Sequence, residues 1–386
     1  MSFFNPPPKP STPLGYHRIL SPTASVKVSP LALGGISIGS SWAELFGQNE
    51  DPFKLLDEYF ALGGNFIDTA NVYNSEASER LIGEWMEKRG VRDQMVVATK
   101  YSAGYKKHDA ESLPIQSNFT GNSAKSMYVS VRDSLKKLRT EYIDILYVHW
   151  WDFGTSVEEV MNHLHTYIQS HQVLYLGVSD TPAWVVVKAN EYARRHGLTP
   201  FSVYQGSWNV AMRDLEAEII PMCQDQGMAV VPWAALGGGQ LKSTEQRKQD
   251  ESNPNVRAQK QPSENDIKVS ETCEKIAKNR NTTIQAVALA YLFAQSPYVF
   301  PIVGVNTVEH VKAMPDALKI KLTKEEVQTL QDAIPFHPLF PVNFLFAYRG
   351  GAKYNLEMTA GDNQQYQMAA WIDAPPKQQP YEPHIE

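Results

Sequence analysis

The chain has 386 residues, of which 42% are apolar and 20% charged, with a net charge of -6; these are values of an ordinary globular protein, not of a disordered or fibrous one. The acidic balance leaves no basic footprint for nucleic acid and argues against an anionic membrane surface, while no apolar run approaches the length of a membrane helix. The opening MSFFNPPPKPSTP lacks the basic start and apolar centre of a secretory signal, and Cys223 and Cys273 have no CxxC or histidine-rich companion, so a cytoplasmic protein without disulfides or a metal is expected.

In chain order, residues 1–14 read as a Pro-rich, disordered arm. YHRILSPTASVKVSP alternates around a turn-rich centre and predicts a hairpin that plugs one end of the main fold. Strand candidates then recur at PLALGG near 31, NFIDTA near 66, MVVATK near 97, IDILYVHW near 146, VLYLGVSD near 176, FSVYQG near 203, MAVVPWA near 231 and YVFPIVG near 301. Amphipathic helical patterns separate them, including a helix start over Ser75 to Arg80 and one long pattern, SETCEKIAKNRNTTIQAVALAYLFAQ. Strands apolar on both faces between helices favour a parallel sheet covered by helices, and eight such units suggest a closed (β/α)8 TIM barrel. A doubly wound sheet ranks second, because its GxGxxG fingerprint is replaced after the first strand by LGGISIGSS. Residues 242–268 are polar and aperiodic, a long loop after strand seven that is either solvated or an active-site cover. Residues 15–335 are therefore expected to form one barrel, with 336–386 an aromatic C-terminal loop and tail packing against it.

Function in such a barrel sits at the carboxyl ends of the strands. That singles out Asp68 ending strand two, Tyr73 in the loop after it, Lys100 ending strand three and His149 ending strand four. Each has a plain role alone: an aspartate caps a turn, a lysine is a solvated strand end, a histidine fills a core. Together they are chemically complete. A free tyrosine has a pKa near ~10 and is a poor proton donor at neutral pH; a Lys100 ammonium beside it would lower that value, and Asp68 would keep the ammonium charged. His149 would then orient a substrate oxygen and Tyr73 would act as general acid. Trp42, Phe119, Trp150 and Trp151 fall in predicted loops at the same end, and an aromatic wall suits a flat aromatic substrate.

These four residues resemble the Asp, Tyr, Lys and His tetrad of the aldo-keto reductase superfamily, and the resemblance runs over roughly residues 15–335. It implies a nicotinamide cofactor bound in extended form. GVSD is similar to the family's Ser-Asn pair and implies that Ser179 and Asp180 hold the carboxamide, with Gln205 of VYQG beside them. VVPWAALGGGQ implies that Trp233 stacks on the nicotinamide and that Leu236, Gly237, Gly238, Gly239 and Gln240 form a pyrophosphate loop. After strand eight, Gly304, Asn306, Thr307 and Lys312 are implied for the adenosine end. Within the superfamily, YVHWWD, GVSDTPAW and PIVGVNTVEHVK look most like the fungal aryl-alcohol dehydrogenases and their norsolorinic-acid-reductase-like relatives. That implies NADPH-dependent, reversible reduction of aromatic aldehydes to aryl alcohols.

Two departures bear on this. Asp180 replaces the commoner Asn and adds charge beside the ring, and Asn306 and Thr307 stand where relatives carry cations for the 2'-phosphate. Losing those cations weakens the expected preference for NADPH over NADH. The amides of Thr307 and Val308 at a helix start, Lys312, or Lys242, Arg247 and Lys248 of the long loop remain as substitutes, and NADPH stays the expected cofactor. A rival reading, a nicotinamide-binding redox-sensing subunit with slow turnover, has no need of the proton donor that the tetrad supplies. A barrel hydrolase using Asp68 and a distant Glu would leave Lys100, Tyr73, Gln205 and the Gly-rich loop without a role. The expected partner is a small aromatic aldehyde or alcohol, with oligomeric state open.

Overall fold

The computed structural model describes residues 5–250, 262–346 and 354–384. The long loop expected at 242–268 and the aromatic run after 336 fall partly on 251–261 and 347–353, outside the described residues.

An antiparallel hairpin, β1 (Arg18–Ser21) and β2 (Ala24–Val28), opens the fold. Eight strands come after it and pair in parallel: β3 (Ala32–Gly34), β4 (Phe66–Asp68), β5 (Val96–Tyr101), β6 (Ile143–Val148), β7 (Val173–Ser179), β8 (Val203–Ser207), β9 (Ala229–Trp233) and β10 (Ile302–Gly304), with β10 beside β3. The ring closes just ahead of β10: Val230 bridges to Val299, its N–H donating to Tyr298 O at 2.8 Å while Phe300 N donates to Val230 O at 3.0 Å. This is the expected (β/α)8 barrel. β5 and β6 are buried at every residue, which explains why both read as continuous apolar runs.

The helices up to residue 333 are α1 (Ala43–Phe46), α2 (Pro52–Ala61), α3 (Ala77–Arg89), α4 (Ala124–Leu138), α5 (Val157–Gln169), α6 (Ala183–Arg195), α7 (Ile219–Gln226), α8 (Thr244–Asp250), α9 (Glu264–Arg280), α10 (Ile284–Phe293), α11 (Val308–Ala313) and α12 (Lys324–Ala333). Side chains of Ser123, Ser156, Ser263 and Thr283 cap the amides at the starts of α4, α5, α9 and α10, satisfying donors that a helix start leaves open. The long pattern over 270–295 is two helices, not one. Asn281 adopts φ 50° and returns its N–H to the last turn of α9, and asparagine tolerates that left-handed stop. No helix among the described residues is long and apolar enough to cross a membrane.

The main core lies between the outer faces of the strands and the helices. A second cluster fills the amino end of the barrel, where Leu20, Ala24 and Val28 of the hairpin pack with Phe66, Val96, Ile145, Val203 and Ala229, residues at or near their strand starts. The hairpin is the expected plug. It leaves the carboxyl end of the barrel for chemistry.

Candidate active site

β4 ends on Asp68 and β5 carries Lys100, both fully buried. Lys100 Nζ stands 2.5 Å from Asp68 Oδ1 and donates to Thr69 O at 2.7 Å, while Gln205 Nε2 from β8 donates to Asp68 Oδ2 at 2.7 Å. Tyr73 lies over this pair, with Lys100 Nζ 4.9 Å from its ring centroid. Its ring meets His149 edge-on at 5.9 Å and Trp42 at 6.2 Å. The four residues singled out in the sequence come together at one point.

Burial opposes the Lys100 charge, yet Asp68 and Tyr73 hold the ammonium above its ordinary value. Burial lifts Asp68 against the pull of Lys100 and Gln205. His149 is pushed well below 6.5, by burial first and the Lys100 charge second, so it is neutral at neutral pH; its Nδ1 is buried without a hydrogen-bond partner among the described residues. The expectation for Tyr73 is corrected in sign. Burial raises its pKa by more than Lys100 lowers it, and Asp68 and Asp180 add to the rise. Desolvating a phenolate costs more than one cation returns when that cation is already paired with a carboxylate.

The loop that presents Tyr73 is unusual. Asn74, Ser75 and Glu76 come next with φ of 51°, 53° and 73°, a left-handed conformation that costs about 1–2 kcal/mol for each non-glycine residue. The helix start expected at Ser75 is thereby delayed to Ala77. Asn74 offsets part of this cost through its side chain, which accepts from Trp42 N at 2.9 Å and donates to Ile36 O at 2.7 Å.

The residues expected at the cofactor lie along the adjoining strand ends. Ser179 is buried at the end of β7 and its Oγ has no hydrogen-bond partner among the described residues. Asp180, at φ 44°, accepts the Trp233 indole N–H at 3.1 Å. Gln205 is committed to Asp68 by one amide N–H. Trp233 is 40% exposed at the end of β9 and, with Gly237, Gly238 and Gln240, lines a 740 Å³ cavity. Leu236 packs on the core behind three glycines, Gly237, Gly238 and Gly239, whose φ values of 65°, 64° and 93° need the absence of a side chain. An unpartnered buried hydroxyl, an exposed indole and a side-chain-free turn beside one cavity fit an extended nicotinamide dinucleotide.

The adenosine end departs from expectation. Thr307 caps α11 with its own side chain, and the Val308 N–H is taken by Glu50 Oε2 at 3.1 Å, so that amide is not open to a phosphate. Glu50 N also donates to Asn306 O at 2.8 Å, and Asn306 Nδ2 to Phe46 O at 2.8 Å. Lys312 pairs with Glu309 at 2.8 Å, and Gly304 is exposed at the end of β10. Arg247 on α8 differs: its Nε and Nη2 are buried with no hydrogen-bond partner among the described residues. Glu50 was not legible as a site residue, since GQNEDP carries no signal beyond a loop before a helix.

Residues 30–335 match the family model described as Aldo/keto reductase family. This chain belongs to the aldo/keto reductase family. It is an NAD(P)-dependent oxidoreductase. Norsolorinic acid reductase A of Aspergillus parasiticus is 47% identical to it over 378 residues, 97% of this chain and 95% of that protein. A protein named aryl-alcohol dehydrogenase [NADP(+)], from Phanerodontia chrysosporium, is 50% identical over 368 residues, 92% of this chain and 94% of its own. Norsolorinic acid reductase B of Dothistroma septosporum is 50% identical over 332 residues, 86% and 84% of the two chains.

In this aldo/keto reductase the expected aromatic wall forms only in part. Trp42 lines a 350 Å³ cavity together with Val72, Ser75 and Tyr105. Phe119 meets Tyr105 edge-on at 5.8 Å, and Trp150, 39% exposed, lies against His149 at 4.7 Å. Trp151 packs into the main core.

Proposed function

We propose that this aldo/keto reductase reduces aromatic aldehydes reversibly to aryl alcohols with NADPH. The observation that carries the reading is the buried Lys100–Asp68 pair, 2.5 Å apart, under a tyrosine that faces a neutral histidine. Nicotinamide supplies the hydride when bound. Tyr73 gives the carbonyl oxygen its proton, and its raised pKa keeps that proton in place at neutral pH. Lys100 stabilises the phenolate left behind, and Asp68 keeps Lys100 charged in a site closed to water. His149, being neutral, donates a hydrogen bond to the carbonyl oxygen without competing as an acid. Ser179, Asp180 and Gln205 hold the carboxamide, Trp233 stacks on the ring, and Gly237 to Gly239 admit the pyrophosphate. For the 2'-phosphate, Arg247 takes the place of the cations missing at Asn306 and Thr307, because its guanidinium has donors to spare among the described residues. The names of the relatives support aromatic substrates and NADP.

Initial rates with NADPH and with NADH, using a methoxylated benzaldehyde and comparing the wild type with Tyr73→Phe, test this. NADPH-dependent turnover should fall by about 10²–10⁴ in the variant while cofactor binding is kept. Equal rates in the two proteins would remove Tyr73 from the mechanism. Tight cofactor binding with no turnover in either would favour the redox-sensing subunit.

A further inference from the structure

Tyr73 is flanked by two anchors that meet on one buried ammonium. Lys137, in the last turn of α4, donates from Nζ to Asn71 O at 3.2 Å, two residues before Tyr73. The same Nζ stands 3.1 Å from Glu76 Oε1, three residues after Tyr73, and 2.6 Å from Glu79 Oε2. Glu76 is 1% exposed. Its carboxylate also meets Lys106 at 2.9 Å, Arg80 at 3.1 Å and His108 at 3.4 Å.

A carboxylate is retained in such a place only when its charge is matched. Burial would raise the Glu76 carboxyl, but Lys137 and Lys106 bring it below the ordinary value, so it is ionised at neutral pH. What the ion pairs hold is the left-handed run Asn74, Ser75 and Glu76, which three non-glycine residues keep only when their surroundings impose it. Neither Glu76 nor Lys137 lies among the residues gathered around Lys100 and Asp68.

We infer that the buried Glu76–Lys137 pair is a positioning clamp for Tyr73, one that sets kcat and leaves cofactor and aldehyde affinity alone. This rests on Tyr73 being the proton donor. A hydroxyl delivered from a loop transfers its proton well only when the loop has one conformation, since displacement of a reacting group by about 1 Å costs on the order of 10²-fold in rate.

Glu76→Gln, made in the wild type and in Tyr73→Phe, tests the clamp. In the wild type the single-turnover rate should fall at least about tenfold, with KM and cofactor Kd within about twofold, and Glu76→Asp should recover part of it. In the Tyr73→Phe background Glu76→Gln should cost nothing more, because the group it positions is gone. An equal loss in both backgrounds would mean a general structural role and would overturn the proposal, as would an unchanged wild-type rate. Hydrogen exchange reads the clamp without any turnover. The amides of Tyr73, Ser75, Ala77 and Ser78 are bonded within this segment at 3.2, 3.1, 3.1 and 3.4 Å, and Glu76→Gln should make them exchange about tenfold faster while distant β6 amides keep their protection. Unchanged exchange at these amides would refute the clamp. If the wild type turned over no aldehyde, the reductase reading would fall and exchange would still decide the clamp. Should Glu76→Gln fail to fold, Glu76→Asp alone decides, since it keeps the charge but shortens the reach to Lys137: a lowered kcat with KM kept supports the clamp, and a wild-type kcat refutes it.

Discussion

Asp68 and Lys100 illustrate how one ion pair serves both stability and chemistry. Removing the charge of Asp68 by Asp68→Asn leaves Lys100 as a buried cation without its counter-ion, which costs about 3–5 kcal/mol for a broken buried pair. Denaturant unfolding should show that loss, and the reduction rate should fall with it as Lys100 is no longer held charged. In the proposed mechanism Tyr73 sets the pH dependence. An acid must be protonated to act, so reduction is lost as pH rises through its pKa, and a value raised above 10 puts that falling limb at the alkaline extreme. His149, far below 6.5, adds no limb near neutrality. The reduction rate should therefore be flat across neutral pH in a kcat profile; a falling limb centred near pH 7 would show that another group is the acid. All four residues were legible because each ends an apolar strand or comes just after one. The direction of the Tyr73 shift was not, because it depends on how much water the folded loop excludes.

At the scale of elements, the short helix α11 bears on the proposed adenosine end. Its start is occupied by Glu50, from the loop between α1 and α2, where the sequence left an open amide. A carboxylate there repels a 2'-phosphate and tolerates a ribose hydroxyl. Glu50→Gln should therefore improve NADPH binding relative to NADH by about tenfold, roughly one unit-charge interaction near a surface. Cofactor titration by fluorescence would measure it; an unchanged ratio would place the phosphate away from α11. A Ser or Thr at a helix start leaves a mark in the sequence, as Ser123 and Ser156 do at α4 and α5. The start of α3 was not, because three left-handed residues push it past Ser75.

The whole molecule separates its two ends. At the amino end, the Arg18 guanidinium of the hairpin lies 4.5 Å from the Phe300 ring and 3.7 Å from Tyr381 of the tail, and Tyr381 meets Phe293 of α10 edge-on at 5.4 Å. The tail thus reaches back to close the end opposite the tetrad. Tyr381→Ala should cost about 1–3 kcal/mol of stability through the lost cation–π and ring contacts. Its kcat should match the wild type, since no tetrad residue touches it; thermal unfolding and steady-state rates check the two halves separately.

Residues 15–335 already carried the strand count, the hairpin plug, the strand-end placement of Asp68, Lys100 and His149, and the arrival of Tyr73 in the loop after β4, because these depend on local periodicity and on where apolar runs stop. Tertiary structure decided what pairs with what. Gln205 reaches Asp68 across 137 residues and Glu50 reaches Val308 across 258, and Trp151 turns inward while Trp150 does not. Lys137, unremarkable in the sequence, becomes the partner of both sides of the Tyr73 loop. A local window records which side chains are available; closing the barrel sets their distances, their desolvation and therefore their charge.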